Sequence, residues 1–404
     1  MQTADMGLTR DSLESYLVRI GYWADMELRR RNAYVLSPSA YVVSARQRYD
    51  LERLSRATYA AVKQLSSKLT FLANEKSISN SDARFLALAT SSTRGLRHPS
   101  QSDGAVPPVM KVDLVQNAEG KYFIAEVDAY NPRGFGYLGF LDETVPQELR
   151  LGGRGMGITG LADLMRRSSR YDYGEWVLIA SDFERYYEPS FNILSALLKE
   201  RGVYLNVIRE CEKQDSAFRC CNVFCVPESM HKNISARSFL AEEWKSGGVH
   251  LFYPPAAYLG SKAFLPFLRT QQGMDEFIPD CSLVDKKNDP LPAFKGTPVV
   301  LKGVMSSGLK KVIFSDAEQE RFAKEYAVAR ATKNPQWVLQ AQVPQQPVPI
   351  IVFDNDGERI TRDHFLRITA YVTEDGLLGA EVTGRPDKAV HGAPDCIQIP
   401  AIYA

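Results

Sequence analysis

Metal-binding and redox side chains are scarce in this sequence of 404 residues, with 5 histidines and 6 cysteines. Cys221 and Cys225 stand close together inside an apolar run, but no second pair with zinc spacing follows. They read as buried, reduced thiols, which suits a reducing cytoplasm. His364 and His391 read as structural. Charge of one sign is also missing: the formal net charge is +1, which argues against a nucleic-acid footprint or an acidic tail. No apolar run approaches membrane-spanning length, and the N-terminus opens polar and charged, without the apolar core of a leader peptide. The expected protein is therefore cytoplasmic, without a membrane or nucleic-acid partner. Repeats and low-complexity tracts are absent as well. What is present is ordinary for a globular chain, 45% hydrophobic and 24% charged, and its length suggests two or three packed lobes.

Helical periodicity runs over residues 8–32 through Leu13, Tyr16, Leu17, Ile20 and Trp23. It returns over 48–70 through Leu51, Leu54, Tyr59, Val62, Leu65 and Leu69. After a Ser/Arg/Gly-rich loop at 92–105, two alternating apolar runs flank Asn117, Ala118, Glu119 and Gly120, which predicts a β-hairpin. Asp113 falls in its first strand, Glu126 and Asp128 in its second. Positions two apart share a face of a strand, so these carboxylates can converge. Alone, they are better explained as solvated acids; converging among apolar neighbours, they would call for a hard cation such as Mg²⁺.

Beyond the hairpin, residues 134–139 (Gly-Phe-Gly-Tyr-Leu-Gly) disfavour regular structure and permit close backbone approach. Gly155, Gly157 and Gly160 formally satisfy G-x-G-x-x-G, but residues 145–150 make a poor preceding strand, so a helix entry is the simpler explanation. A strand at 175–180, a helix at 189–201 with Phe191, Leu194, Leu197 and Leu198 inward, and a strand at 204–208 form a β-α-β unit. Strands at 222–226 and 249–253 extend it into a small parallel lobe. Lys262 precedes an apolar helix, where the helix dipole disfavours a cation; it is either solvated or aimed at an anion. Farther on, a strand over 298–303 ends with Lys302, and a loop holding Ser306, Ser307 and Gly308 leads to a return strand. Backbone amides of such a loop, with the lysine, can hold phosphates, although the G-K-[ST] order of a Walker loop is missing. A further strand carries Gln340, Gln342 and Val343, and antiparallel strands joined by tight turns complete the chain.

The order of these parts resembles the circularly permuted ATP-grasp ligases, typified by the synthetase domain of glutathionylspermidine synthase. The resemblance rests on Lys111 and Asp113, then Glu126 and Asp128, then Ser261, Lys262 and Ala263, the Ile278-Pro279 step, and the lysine strand, small-residue loop and glutamine strand. It covers about 106–400. It implies an α/β (α+β) fold with the acid half ahead of the nucleotide half, a small parallel lobe and an N-terminal helical segment. Regions 1–105, 106–170, 171–290 and 291–404 would be, in turn, the helical segment, the magnesium half, the small lobe and the nucleotide half. By this resemblance Asp113, Glu126 and Asp128 would hold Mg²⁺ on ATP. Lys302 and Lys262 would contact phosphates under a lid containing Ser306, Ser307 and Gly308, and Gln340, Gln342 and Val343 would border the adenine. Lys111, with Arg133, would steady the transferred phosphate, and Arg133, Arg367 and Arg385, the last near the mouth of the site, would hold the acceptor carboxylate.

Two departures from the family pattern stand out. Lys111 replaces an arginine and offers charge without a bidentate fork, and Asp128 replaces an asparagine. The implied reaction is ATP-dependent joining of a small-molecule carboxylate and an amine (amino acid, peptide or polyamine) through an acyl phosphate, with release of ADP and phosphate. A non-catalytic nucleotide-binding module and a Rossmann-type oxidoreductase are the alternatives.

Overall fold

The computed structural model describes residues 2–7, 9, 15, 35–77, 79, 83, 85–88, 104–130, 133–144, 157–171, 174–180, 187–209, 221–225, 240, 242–254, 256–304, 311–354, 356–390 and 396–404. The helix expected over 8–32, the loop at 92–105 and the loop with Ser306, Ser307 and Gly308 lie wholly or largely outside these. Among the described residues no helix is long and apolar enough to cross a membrane.

Helix α1 (Ala45–Asn74) starts on a capping box, in which Ser44 Oγ accepts from the Gln47 amide and the Gln47 side chain accepts from the Ser44 amide. Its Leu51, Leu54, Val62, Leu65 and Leu69 are buried, the stripe that the 3.6-residue period dictates. The stripe packs on the main sheet. There β4 (Val109–Gln116) and β5 (Tyr122–Asp128) form the expected hairpin, its turn fixed by Asn117 Oδ1, which accepts from the amides of Glu119 and Lys121. Beside β4 lie β15 (Arg359–Thr373), β16 (Gly376–Arg385), β17 (Ile397–Ile399) and β2 (Val35–Leu36), and β14 (Val348–Phe353) pairs the early part of β15. Met110, Val112, Leu114, Ile368, Ala370, Val372, Ala380 and Val382 share one hydrophobic cluster with α1. Strand alternation turns Lys111, Asp113, Arg367, Thr369 and Glu381 to the opposite face.

Sheet membership cuts across chain order. Strands β15 to β17 join the acid hairpin rather than the lysine-strand sheet that precedes them in sequence. That second sheet is antiparallel, in the order β10 (Cys281–Val284), β13 (Trp337–Ala341), β11 (Val299–Gly303), β12 (Val312–Phe314). Its Leu301, Leu339 and Trp337 pack on Phe322 and Tyr326 of a covering helix, Gln319–Ala331. A third sheet, β7 (Tyr204–Arg209), β6 (Glu175–Ala180), β8 (Cys221–Cys225) and β9 (Val249–Leu251), is parallel throughout, as the β-α-β pattern predicts. Its crossover is the helix Glu188–Lys199. A short sheet of β1 (Gln2–Asp5), β3 (Ser39–Val43) and β18 (Ala401–Tyr403) ties the two ends of the chain together, a pairing with no local signal.

The glycine-rich stretch after the hairpin departs from expectation. It forms a helix, α2 (Phe135–Thr144), because it packs tightly on the crossover helix. A Cβ at Gly136 would lie 1.9 Å from the carbonyl oxygen of Ser190, so only glycine lets the two helices approach so closely. Tertiary contact here overrides helix propensity. Of the formal fingerprint, Gly157 opens the helix Gly157–Ser168, while Gly155 lies outside the described residues.

Candidate functional site

Register places the sequence-identified acids in line with a residue that the sequence reading missed. Glu126 stands opposite Asp113, Asp113 opposite Thr369, and Thr369 opposite Glu381. Register partners point to one face, so these side chains form a row across β5, β4, β15 and β16. One row along, Asp128 stands opposite Lys111 and Lys111 opposite Tyr371. On the other side Arg367 stands opposite Thr383, itself opposite Gln398.

Each of the three hairpin acids is met by a donor. Thr369 Oγ1 donates to Asp113 Oδ1 at 2.8 Å, with Lys111 Nζ at 3.8 Å and Arg367 at 3.7 Å from the same carboxylate. Burial raises the Asp113 pKa, but Lys111, Arg367, the Thr369 hydroxyl and Lys262 outweigh it, and the group stays below the ordinary aspartate value. Lys262 Nζ donates to Glu126 Oε1 at 2.6 Å, which answers the question posed by its place before a helix: its cation is aimed at the acid hairpin. Ser261 Oγ accepts from the Ala263 amide, and the Lys262 amide donates to the Val304 carbonyl. Lys262 is thereby anchored at Val304, just past β11. Asp128 Oδ1 accepts from the Tyr130 amide.

The lysine strand meets the hairpin at a seam. Lys302, almost fully buried, donates to the Ala125 carbonyl at 2.9 Å and to Gln340 Oε1 at 2.5 Å. Gln340 Nε2 donates in turn to the Ile124 carbonyl at 3.2 Å. Burial, opposed by Glu126 and reinforced by Lys262, lowers the Lys302 pKa to about 8. Gln340 is thus a strut that positions Lys302 against β5. Gln342 instead donates to Asp316, which also pairs with Lys388 from beyond β16, and half-buried Val343 follows it. Arg133 is buried, its guanidinium 5.8 Å from the centre of the Phe191 ring, and Arg385 donates to the Ala389 carbonyl within its own loop.

A divalent cation finds partial accommodation here. Among the described residues no three His, Cys, Asp or Glu side chains group closely enough to cage a metal. Mg²⁺, however, is commonly held by one or two carboxylates, with phosphate oxygens and water completing its shell. Asp113 and Glu126, hard oxygen donors in direct register, fit that smaller requirement.

No family model matches the chain, and no curated protein matches it in sequence. In structure it is similar to a glutathione synthetase-like effector from Globodera pallida in apo form, at TM-score 0.56 and 11% identity, over 98% of each chain. A candidate gamma-glutamylcysteine synthetase from Methylobacillus flagellatus aligns more loosely, at TM-score 0.40 and 13% identity, over 85% of this chain and 86% of that one. The first likeness extends from end to end and shows that the two chains share an α+β fold.

Proposed function

We propose that this protein is an ATP-dependent carboxylate–amine ligase of the ATP-grasp type, with the acid half preceding the nucleotide half in the chain. The observation that carries the proposal is the seam itself. Lys302 on one sheet and the Asp113–Glu126 pair on another, far apart in sequence, meet across Ala125 and Gln340. A polyphosphate laid along this seam has Lys302 and Lys262 as counter-charges, and the loop with Ser306, Ser307 and Gly308, which comes after β11 in the chain, would cover it. Asp113 and Glu126 would hold Mg²⁺, which when bound shields phosphate charge.

Lys111 and Arg367 flank Asp113 on the face where a substrate carboxylate would meet the terminal phosphate. Their charge attracts that carboxylate and steadies the transferred phosphoryl group, so the chain's share of catalysis is positioning and charge neutralisation. Arg133, buried beside Phe191, would help to hold the reacting carboxylate. Gln342 and Val343, at the end of β13, would border the adenine, while Gln340 acts through Lys302. The fold of the G. pallida protein, named for its likeness to a synthetase, supports this reading.

A second reading, a nucleotide-binding module without catalysis, draws on Lys262, Lys111 and Arg367 already satisfying the acids. A coupled ADP-release screen across carboxylate–amine pairs separates the two. The ligase reading requires ADP, not AMP, formed only when both substrates are present, and its loss in Asp113→Asn. ATP binding without turnover under every pairing would instead favour the module.

A further inference from the structure

Glu381 terminates the row that begins at Glu126, yet no part of the proposed phosphate chemistry uses it. It is 3% exposed, and its Oε2 has no hydrogen-bond partner among the described residues. A buried carboxylate oxygen without a donor is unfavourable and is normally completed by something that binds there. The space above it is kept clear of side chain by Gly134, whose backbone is in the left-handed region at φ +106. A Cβ at Gly134 would lie 2.7 Å from the Tyr371 hydroxyl and 3.4 Å from Glu381 Oε1. Thr369 separates Glu381 from Asp113 in the row. With neighbouring strands ~4.8 Å apart, the two acids stand roughly 10 Å apart at their backbones.

We propose that Glu381 Oε2 receives the ammonium group of the amine substrate and removes a proton from it ahead of attack on the acyl phosphate. The inference rests on the ligase reading and assigns the end of the site that reading leaves unoccupied. The order along the row then matches the chemistry: phosphate counter-charge at Glu126 and Asp113, the activated carboxyl over Thr369 beside Arg367, and the nucleophile at Glu381. An amine reaches the site protonated and has no lone pair to offer until it gives up a proton. The ammonium transfers one proton to Glu381. The freed lone pair forms the C–N bond to the acyl carbon, and the C–O bond to phosphate breaks with phosphate keeping the electron pair. The second N–H proton leaves with the phosphate. The groups acting on Glu381 are Lys111, Arg367, Asp113 and Tyr371. Burial, partly offset by Lys111 and Arg367, lifts its pKa to about 7, closer to that of an amine than an exposed glutamate would be and so better matched as a base.

The test uses the full-length protein, ATP, the carboxylate giving the largest ADP release, and three nucleophiles: glycine, spermidine and hydroxylamine. Hydroxylamine is uncharged at neutral pH and needs no base. Glu381→Gln, which preserves shape, is expected to raise the KM or lower the kcat for the protonated amine at least tenfold more than for hydroxylamine. The rate of Glu381→Gln should recover as pH rises and free amine accumulates, while its ATP-induced thermal shift matches that of the wild type. Equal losses on all nucleophiles, or no loss on any, would overturn the assignment, as would disappearance of the ATP shift. If the wild type releases no ADP with any pair, the ligase reading itself fails, an outcome distinct from the others because it is read before any substitution is made.

Discussion

At the scale of single residues, Lys302 carries the sharpest consequence. Folded, it titrates near 8, against 10.5 for an ordinary lysine. Between those values the unfolded chain retains the proton that the folded chain has released, so this group's contribution to stability rises with pH. Phosphate binding needs the charged form, so ATP affinity should fall as pH rises through about 8, and binding at pH 8.5 should take up protons. Titration calorimetry in two buffers of different ionisation enthalpy measures that uptake, which should vanish in Lys302→Met. Gln340→Leu removes one of the Lys302 acceptors and leaves the Ile124 carbonyl without its donor. A loss of about 1–3 kcal/mol in stability is expected, together with a raised KM for ATP, read by denaturant titration and ADP release. Lys302, Asp113 and Glu126 were legible in the sequence because each sits beside a local pattern, a strand end or an alternating run. Glu381 was not. It lies in a run of small and apolar residues, and its link to Asp113 passes through Thr369, which is 256 positions away from that aspartate in the chain.

At the scale of elements, legibility followed periodicity. Helix α1 and the hairpin matched their patterns because one face of each is buried and the other is not, while the parallel strands announced themselves as short apolar runs between turn residues. The stretch that became α2 failed the same reading because its glycines serve packing rather than turning. Gly136→Ala tests that account: no rotamer can relieve a backbone clash at 1.9 Å, so the helices must separate, costing about 1–3 kcal/mol. An apparent Tm lowered by several degrees is expected, whereas Ala at an exposed position of α1, such as Arg46→Ala, should leave it in place. The Ser44 cap gives a graded comparison. Ser44→Ala should cost ~1 kcal/mol without changing the KM for ATP, since α1 supports the main sheet from its apolar face and touches no part of the acid row.

At the scale of the whole molecule, the site exists only where two sheets meet, and this explains why its parts were readable while its assembly was not. Each half satisfies its own local rules, but nothing in the chain around residue 300 specifies that Lys302 will rest on Ala125, or that strands from 359 onward will return to the hairpin. That pairing is set by burying the remaining apolar face against α1. Joining the halves through Lys302, Gln340 and the Lys262–Glu126 pair has a measurable consequence. A ligand spanning the seam must order both sheets together, because Lys302 and Gln340 bond to carbonyls of β5 and Lys262 is fixed to Val304 at the end of β11. ATP should therefore slow amide hydrogen exchange in β5, β11 and β13 together, while β6 to β9 of the parallel lobe stay unchanged in its absence or presence. Lys262→Met, which removes the side-chain bond to Glu126, is expected to weaken this joint protection, most of all around Glu126 in β5, even if ATP still binds. Protection confined to β11 and β13 would mean that the nucleotide engages one sheet alone and that the acid row does not contribute to holding it.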